Sequence, residues 1–501
     1  MAKRYDLLIR DADVFDGTGA EPVRADVGVE GTHIALVGDA GAATAASEIV
    51  ASGLALSPGF IDVHTHDDFA AFAHPDMAFK TRGGVTTCVV GNCGFGAAPF
   101  AAAAQVGGDL LSIDGLEPYD GHAGYAAALD QRGIGANIGM LAGHGTFRLA
   151  AMGRDDRAPD ERELEVMKSH LREALDAGVL GMSSGLIYEP GRYAATDEIA
   201  ELAAEMRGTG ALYATHMRDE STGLLDSVNE AIEIGNRAGV PVQISHHKAA
   251  GRASWGLVKD SLKLIEAAQA RGESVHADQY PYTAGSTMLR AVLQNGAFAE
   301  SASGDVGIAA ALPADVVVAS APGHPEWEGQ SIEVLSATFG LPPRAAAEKV
   351  VAEVPGASVV LHMMSEDDVQ AVLRHPSTMI GSDGIPTLDG KPHPRLYNSF
   401  ARVLGHYSRD LKLMSIATAI HRMTGMSAQK FGLADRGEIR VGAAADLVLF
   451  DAGAVIDKGT FDNPNQYPDG IIHVIVNGKP VVQNGQVTPA RPGTVLRRAN
   501  A

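Results

Sequence analysis

Cysteine is all but missing from this 501-residue chain. Cys88 and Cys93 are the only two, and their spacing fits neither a disulfide framework nor a Cys-x-x-Cys zinc or redox motif. A reducing compartment suits such a sequence, so a cytoplasmic protein is expected. Long apolar runs are missing too: none reaches the roughly 20 residues that a bilayer span needs. Met1–Asp11 alternates charged with apolar residues and lacks a signal-peptide core. Positive charge is scarce, with 40 Lys and Arg against 61 Asp and Glu and a formal net charge of −21. No basic arm offsets that balance, which argues against nucleic acid or an anionic membrane surface as a partner. A Gly-x-Gly-x-x-Gly fingerprint at a strand–helix junction is absent as well, and with it the case for a dinucleotide fold.

What remains reads as an α/β protein. Hydrophobic residues make up 46% and charged residues 20%, enough for a substantial core. Short apolar runs fall at roughly 55–64, 85–91, 137–143, 178–184, 211–216, 241–246, 274–280 and 378–383, separated by helical patterns such as Asp160–Asp176 and Leu224–Ala238. That alternation argues for βα units, and eight such strands suit a closed (β/α)8 TIM barrel. The ends differ: 5–14, 25–37, 444–451 and 471–483 alternate apolar with polar residues, and Val476-Asn477-Gly478-Lys479 signals a hairpin. The expected organisation is a small β-sandwich domain from both termini (1–54 plus 440–501) beside the barrel (55–285 and 346–439). The stretch 286–345 is too long for a loop and is expected to be an inserted lid subdomain over the active site.

Chemistry is announced by Ser57-Pro58-Gly59-Phe60-Ile61-Asp62-Val63-His64-Thr65-His66. Side chains at i and i+2 of a strand share a face, so His64 and His66 present two imidazoles together. They stand at a strand's C-terminal end, where barrels of this type keep their active sites. Neutral imidazoles suit Zn²⁺. Cys93, His216, His246 and Asp383 end four further predicted strands, and six ligand-type side chains at five strand ends converge on one mouth. A metal site is the expected result.

The motif Pro58–His66 resembles the first-strand signature of the amidohydrolase superfamily. Gly91-Asn92-Cys93-Gly94, Ser183-Ser184-Gly185-Leu186-Ile187-Tyr188, Thr215-His216-Met217-Arg218 and Ser245-His246-His247-Lys248 are similar to motifs of the D-aminoacylases, the N-acyl-D-amino-acid deacylases. So are Tyr280–Thr287, Gly381-Ser382-Asp383-Gly384 and His393-Pro394-Arg395, and the similarity runs nearly end to end. In the wider superfamily a carboxylated lysine on strand four bridges two metals. Here Met182-Ser183-Ser184-Gly185 offers none. The resemblance assigns that role to Cys93.

It implies one tightly held zinc on Cys93, His216 and His246, and a weaker second metal position on His64, His66 and Asp383. Zinc activates a water that attacks the acyl carbonyl, while Asp383 takes its proton and delivers it to the leaving amine. Lys248 and Arg395 are expected to clamp the substrate α-carboxylate, with Tyr188 and Ser286 as hydrogen-bond donors. Arg290 is a candidate for meeting the substrate side chain. His144 and His247 carry no ligand role, and Asp219 and Glu220 are candidates for orienting the ligands.

The expected partner is a small-molecule N-acyl-D-amino acid with a neutral or hydrophobic side chain, and a homo-oligomer is compatible with the sequence. The alternatives are an N-acyl-D-glutamate or N-acyl-D-aspartate deacylase, a cyclic amidase or deaminase, and a non-catalytic scaffold. The missing lysine and the Lys248/Arg395 pair disfavour the cyclic amidase and the deaminase. The intact ligand set disfavours the scaffold.

Overall fold

Eight parallel strands form the centre of the computed structural model, which describes residues 4–107, 116–295, 298 and 311–498. They are β1 (Phe60–Asp62), β2 (Val85–Val90), β3 (Asn137–Gly143), β4 (Gly181–Gly185), β5 (Leu212–His216), β6 (Val242–Ile244), β7 (Val275–Gln279) and β8 (Thr378–Ile380). Each pairs with its neighbour in chain order. Every residue of β1–β6 and β8 is buried, which is why these segments read as continuous rather than alternating apolar runs. Ile61, Val89, Leu141, Leu212 and Met379 come from strands that are not all neighbours, yet they form one cluster with Phe431 and Leu433. They therefore meet in the barrel's interior. Around the outside run amphipathic helices. Glu161–Asp176 begins in a reciprocal capping box between Asp160 and Glu163 and buries Met167, Leu171, Ala174 and Leu175. Among the described residues no helix is long and apolar enough to cross a membrane.

Closure from β8 to β1 depends on side chains. The backbone supplies a parallel bridge between Thr65 and Gly384. Beneath it, Lys80 Nζ donates to Asp62 Oδ2, Thr65 Oγ1 and Ser382 Oγ, each at 2.8 Å. Asp62 also accepts from Ser382 N at 2.8 Å. Burial works against the Lys80 charge, but Asp62 and Asp67 outweigh it and hold the ammonium above its ordinary range. Removing one partner of such a pair leaves a buried, uncompensated charge. Lys80→Met is expected to cost about 3–5 kcal/mol in denaturant unfolding, and an unchanged midpoint would show that the network adds nothing to closure.

Strands from both termini share one sheet, in which Ala55–Pro58 pairs on one side with Arg4–Val14 and on the other with Leu447–Phe450. The expected first strand at 55–64 is thus two strands in two sheets. Gly59 makes the change possible, because a Cβ there would lie 2.1 Å from Thr86 Oγ1. At the other end, Asn477 and Gly478 both have positive φ, as a two-residue I′ hairpin requires. The last described strand, Val495–Leu496, leaves this sheet and pairs with β3.

Between β7 and β8 stands a three-stranded antiparallel sheet of Ala284–Met288, Val316–Ser320 and Ser358–His362, with its own apolar core. Ser358–His362 is the middle strand, so this unit reaches past the expected limit at 345. Residues 296–297 and 299–310 of the expected insertion lie outside the described residues.

Candidate active site

All six ligand-type side chains lie at or just beyond barrel strand ends, and all are buried. Three of them, Cys93, His246 and Asp383, have φ of 54°, 34° and 49°, in the left-handed region. Such conformations cost about 1–3 kcal/mol each and persist only where the surroundings impose them. Here the restraints are visible. Gly94 N, next to Cys93, donates to Ser183 Oγ at 2.9 Å. His246 N donates to Asp278 Oδ1 at 2.8 Å, and Asp383 N to His64 O at 2.7 Å. Ser183, on β4, therefore braces the cysteine loop.

Cys93 Sγ lies 3.4 Å from His64 Nε2, 3.6 Å from His246 Nε2 and 3.8 Å from His216 Nδ1. A tetrahedral zinc with Zn–S near 2.3 Å and Zn–N near 2.05 Å sets sulfur and nitrogen about 3.5 Å apart. By that spacing Cys93, His64 and His246 form one candidate donor group, His216 Nδ1 stands slightly further from the sulfur, and His216 also groups with Glu220 and His246. Asp383 Oδ1 lies 3.2 Å from His66 Nε2 and 3.5 Å from His64 Nε2, a second group of donors beside the first.

Electrostatics separates the two cysteines. Burial pushes the Cys93 thiol up, but the His64 charge and hydrogen bonding with His216, His246 and His64 outweigh it and hold it well below its ordinary range. Burial and the nearby Asp67 charge push Cys88 well above that range, despite Lys80. A thiolate that binds metal is favoured at Cys93 alone. At Asp383 burial is outweighed by Arg395, His246, His66 and His64, which keep its carboxyl well below the usual carboxylate range. Asp383 opposes the effect of burial on His66, whose pKa is raised to about 9.

The expected substrate-binding residues divide. Arg395 is 1% exposed; its Nη2 lies 2.9 Å from Asp383 Oδ2 and donates to Ser286 O at 3.2 Å, its guanidinium lies over the Tyr280 ring, and Nε and Nη1 have no hydrogen-bond partner. Lys248 Nζ is 2.6 Å from Glu220 Oε1. The Tyr188 ring lies 5.0 Å from that of His216, and its hydroxyl is 3.1 Å from Thr287 Oγ1. Ser286 contributes its carbonyl to Arg395. Arg290 stands further out, with Phe95, Arg154, Tyr188, Glu189 and Met288 around a cavity of about 20 Å³. A separate cavity of about 540 Å³ lies in the terminal sheet, lined by Asp11, Arg24, Asp26 and Ile439 among others, and none of the six donors borders it.

Two histidines without an expected ligand role are engaged elsewhere. His144 Nε2 is 2.9 Å from Glu198 Oε1, and His247 Nε2 is 2.8 Å from Ser261 Oγ. Asp219 accepts from Ser221 N at 2.6 Å and shapes its own loop, whereas Glu220 faces His216 and His246. Asp278 was not legible in the sequence. It accepts from His246 N, lies 3.3 Å from His64 Nδ1 and accepts from Gln243 Nε2 at 2.8 Å. It sits inside β7, two residues before the Tyr280–Thr287 motif and outside it, and its signal was only that of a carboxylate in a largely buried strand.

An amidohydrolase family profile matches residues 48–482. The chain is 40% identical over 498 residues to the D-aminoacylase of Alcaligenes xylosoxydans xylosoxydans, covering 99% of this chain and 98% of that one. A solved D-aminoacylase with a binuclear metal centre superposes with a TM-score of 0.90 at 40% identity, across 99% of this chain and 100% of the other. The N-acyl-D-glutamate deacylase of Bordetella bronchiseptica, complexed with zinc and a phosphonate that mimics the tetrahedral intermediate, gives 0.89 at 38% identity, with 99% and 100% covered. The chain belongs to the amidohydrolase family, in the branch of the D-aminoacylases and N-acyl-D-amino-acid deacylases.

Proposed function

We propose that this chain hydrolyses the amide bond of N-acyl-D-amino acids with zinc, releasing a carboxylate and a free D-amino acid. The observation that carries this reading is a zinc-sized set of donors around Cys93, with Asp383 beside it. Cys93, His216 and His246 hold the tight metal, and His64, His66 and Asp383 form a weaker second position. Bound zinc supplies Lewis acidity, bringing the pKa of a coordinated water towards neutrality and polarising the acyl carbonyl.

The chain's own residues supply the rest. Asp383 accepts the proton of the attacking water and returns it to the leaving amine. Arg395 Nε and Nη1, both without a hydrogen-bond partner, supply donors and charge for the substrate α-carboxylate, and Lys248 adds a second positive charge. In this reading Tyr188 and Ser286 donate hydrogen bonds to the bound substrate.

Phe95, Tyr188, Met288 and Ala291 put apolar surface around the outer cavity, and the reading with neutral D-amino acids rests on that surface rather than on the cavity's volume. Arg290 and Arg154 border the same cavity and favour a second reading, an acidic D-amino acid. A kinetic panel separates them. With zinc present, kcat/KM for N-acetyl-D-leucine and N-acetyl-D-methionine is expected to exceed that for N-acetyl-D-glutamate and N-acetyl-D-aspartate, with little turnover of the L-forms. The reverse order selects the acidic reading, and turnover of hydantoin alone would sink both.

A further inference from the structure

Glu220 lies on the loop after β5, 5% exposed, and the reaction above gives it no task. Its two oxygens each face one imidazole of the tight site. Oε1 is 2.9 Å from His246 Nδ1, and Oε2 is 3.5 Å from His216 Nε2, which has no hydrogen-bond partner. The opposite nitrogens of those rings, His246 Nε2 and His216 Nδ1, face Cys93. The two rings therefore turn different atoms towards the metal position, and no single intrinsic tautomer of histidine presents both.

A neutral imidazole carries one proton, and the nitrogen that keeps it cannot bind a metal. A carboxylate only accepts. A proton on His246 Nδ1 and one on His216 Nε2 would each face a Glu220 oxygen, and both lone pairs would then point at Cys93. Lys248 threatens this arrangement. Its Nζ is 2.8 Å from His246 Nδ1, and an ammonium donating there would turn the ring's own N–H towards the metal position. Glu220 Oε1 at 2.6 Å and His246 O at 3.0 Å offer that ammonium other acceptors.

We infer that Glu220 is a positioning residue that sets the tautomers of His216 and His246 and holds the Lys248 ammonium off the His246 ring. The inference rests on the proposal that Cys93, His216 and His246 hold the tight zinc. Glu220→Gln keeps the shape, but its amide nitrogen can only donate. One oxygen remains to accept, so one of the two rings would face an amide N–H instead of a carboxylate oxygen.

The test starts from zinc-loaded protein and measures the zinc dissociation constant by chelator competition. Outer-shell partners of this kind are worth about 10–100-fold in metal affinity, so E220Q is expected to weaken zinc by that factor. E220D, which restores a carboxylate on a shorter arm, is expected to recover part of the loss. In cobalt-substituted protein, E220Q is expected to shift the d–d bands while the thiolate-to-cobalt band persists. Thermal unfolding after metal removal separates a folding defect from an affinity defect. If Cys93→Ala loses zinc while E220Q keeps the wild-type constant and cobalt spectrum, the role of Glu220 is overturned and the ligand set stands. If Cys93→Ala also keeps wild-type affinity, the ligand set itself is wrong.

Discussion

Replacing Cys93 with alanine is expected to strip the protein of its tightly held zinc and lower kcat/KM more than a hundredfold. The scale follows from comparison with outer-shell partners, whose loss already costs about 10–100-fold in metal affinity or activity. Cys93 gives more than one contact. Its sulfur is the shared neighbour of His64, His246 and His216, at 3.4, 3.6 and 3.8 Å. It is also a soft, anionic donor at that point, and the neighbouring imidazoles favour its thiolate. At the proposed site alanine would remove a charge that partly neutralises the metal and would leave only the imidazoles of His216 and His246 to hold it. The fold has little reason to fail, since alanine meets the same backbone strain at φ 54° and the restraints on Gly94 N and Asn92 do not involve the sulfur. Cys88→Ala is the matched control. That thiol is fully buried and held neutral, so its loss is expected to leave zinc content and turnover unchanged. Metal analysis after desalting, beside kcat/KM for N-acetyl-D-leucine, checks both variants. Stoichiometric zinc and full activity in C93A would falsify the site assignment.

The barrel was legible because its strands are short, largely apolar and, β7 apart, fully buried, and because the ligands punctuate their ends. A histidine closing Leu212-Tyr213-Ala214-Thr215 or an aspartate closing Met379-Ile380-Gly381-Ser382 stands out against its run. Sheet membership was less legible. Residues 54–63 form one nearly unbroken apolar stretch, and hydrophobicity does not record that Ala55–Pro58 pairs with Leu447–Phe450 while Phe60–Asp62 pairs with β2. The only local cue was Pro58-Gly59 itself. The middle strand of the inserted sheet, Ser358–His362, escaped for a related reason. Its identity as part of that unit depends on pairing with segments some forty and seventy residues earlier in the chain. Asp278, Lys80 and Ser183 share that difficulty. Each acts across strands: Asp278 on His246 and His64, Lys80 on β1 and β8, Ser183 on the Cys93 loop. No spacing within one strand encodes such a contact.

Asp383→Asn is expected to leave the tight zinc in place and lower kcat by about 10²–10⁴-fold, the range for loss of a general acid–base group. The side chain keeps its volume but no longer takes a proton from water and returns it to an amine. Cys93, His216 and His246 are untouched, so metal content after desalting is expected to match wild type. A second consequence follows from Arg395. Its Nη2 sits 2.9 Å from Asp383 Oδ2 in a site where the guanidinium is 1% exposed, and neutralising the partner leaves that charge buried and unpaired. D383N is therefore expected to be less stable by about 3–5 kcal/mol until a substrate carboxylate arrives. A double variant separates the effects. Asp383→Asn with Arg395→Met removes both charges and is expected to regain much of the lost stability while activity stays at the level of D383N or below. If activity returns with stability, Asp383 serves the fold and the proton passes through another group. If D383N alone retains wild-type kcat with zinc bound, Asp383 is a metal neighbour without a part in proton transfer.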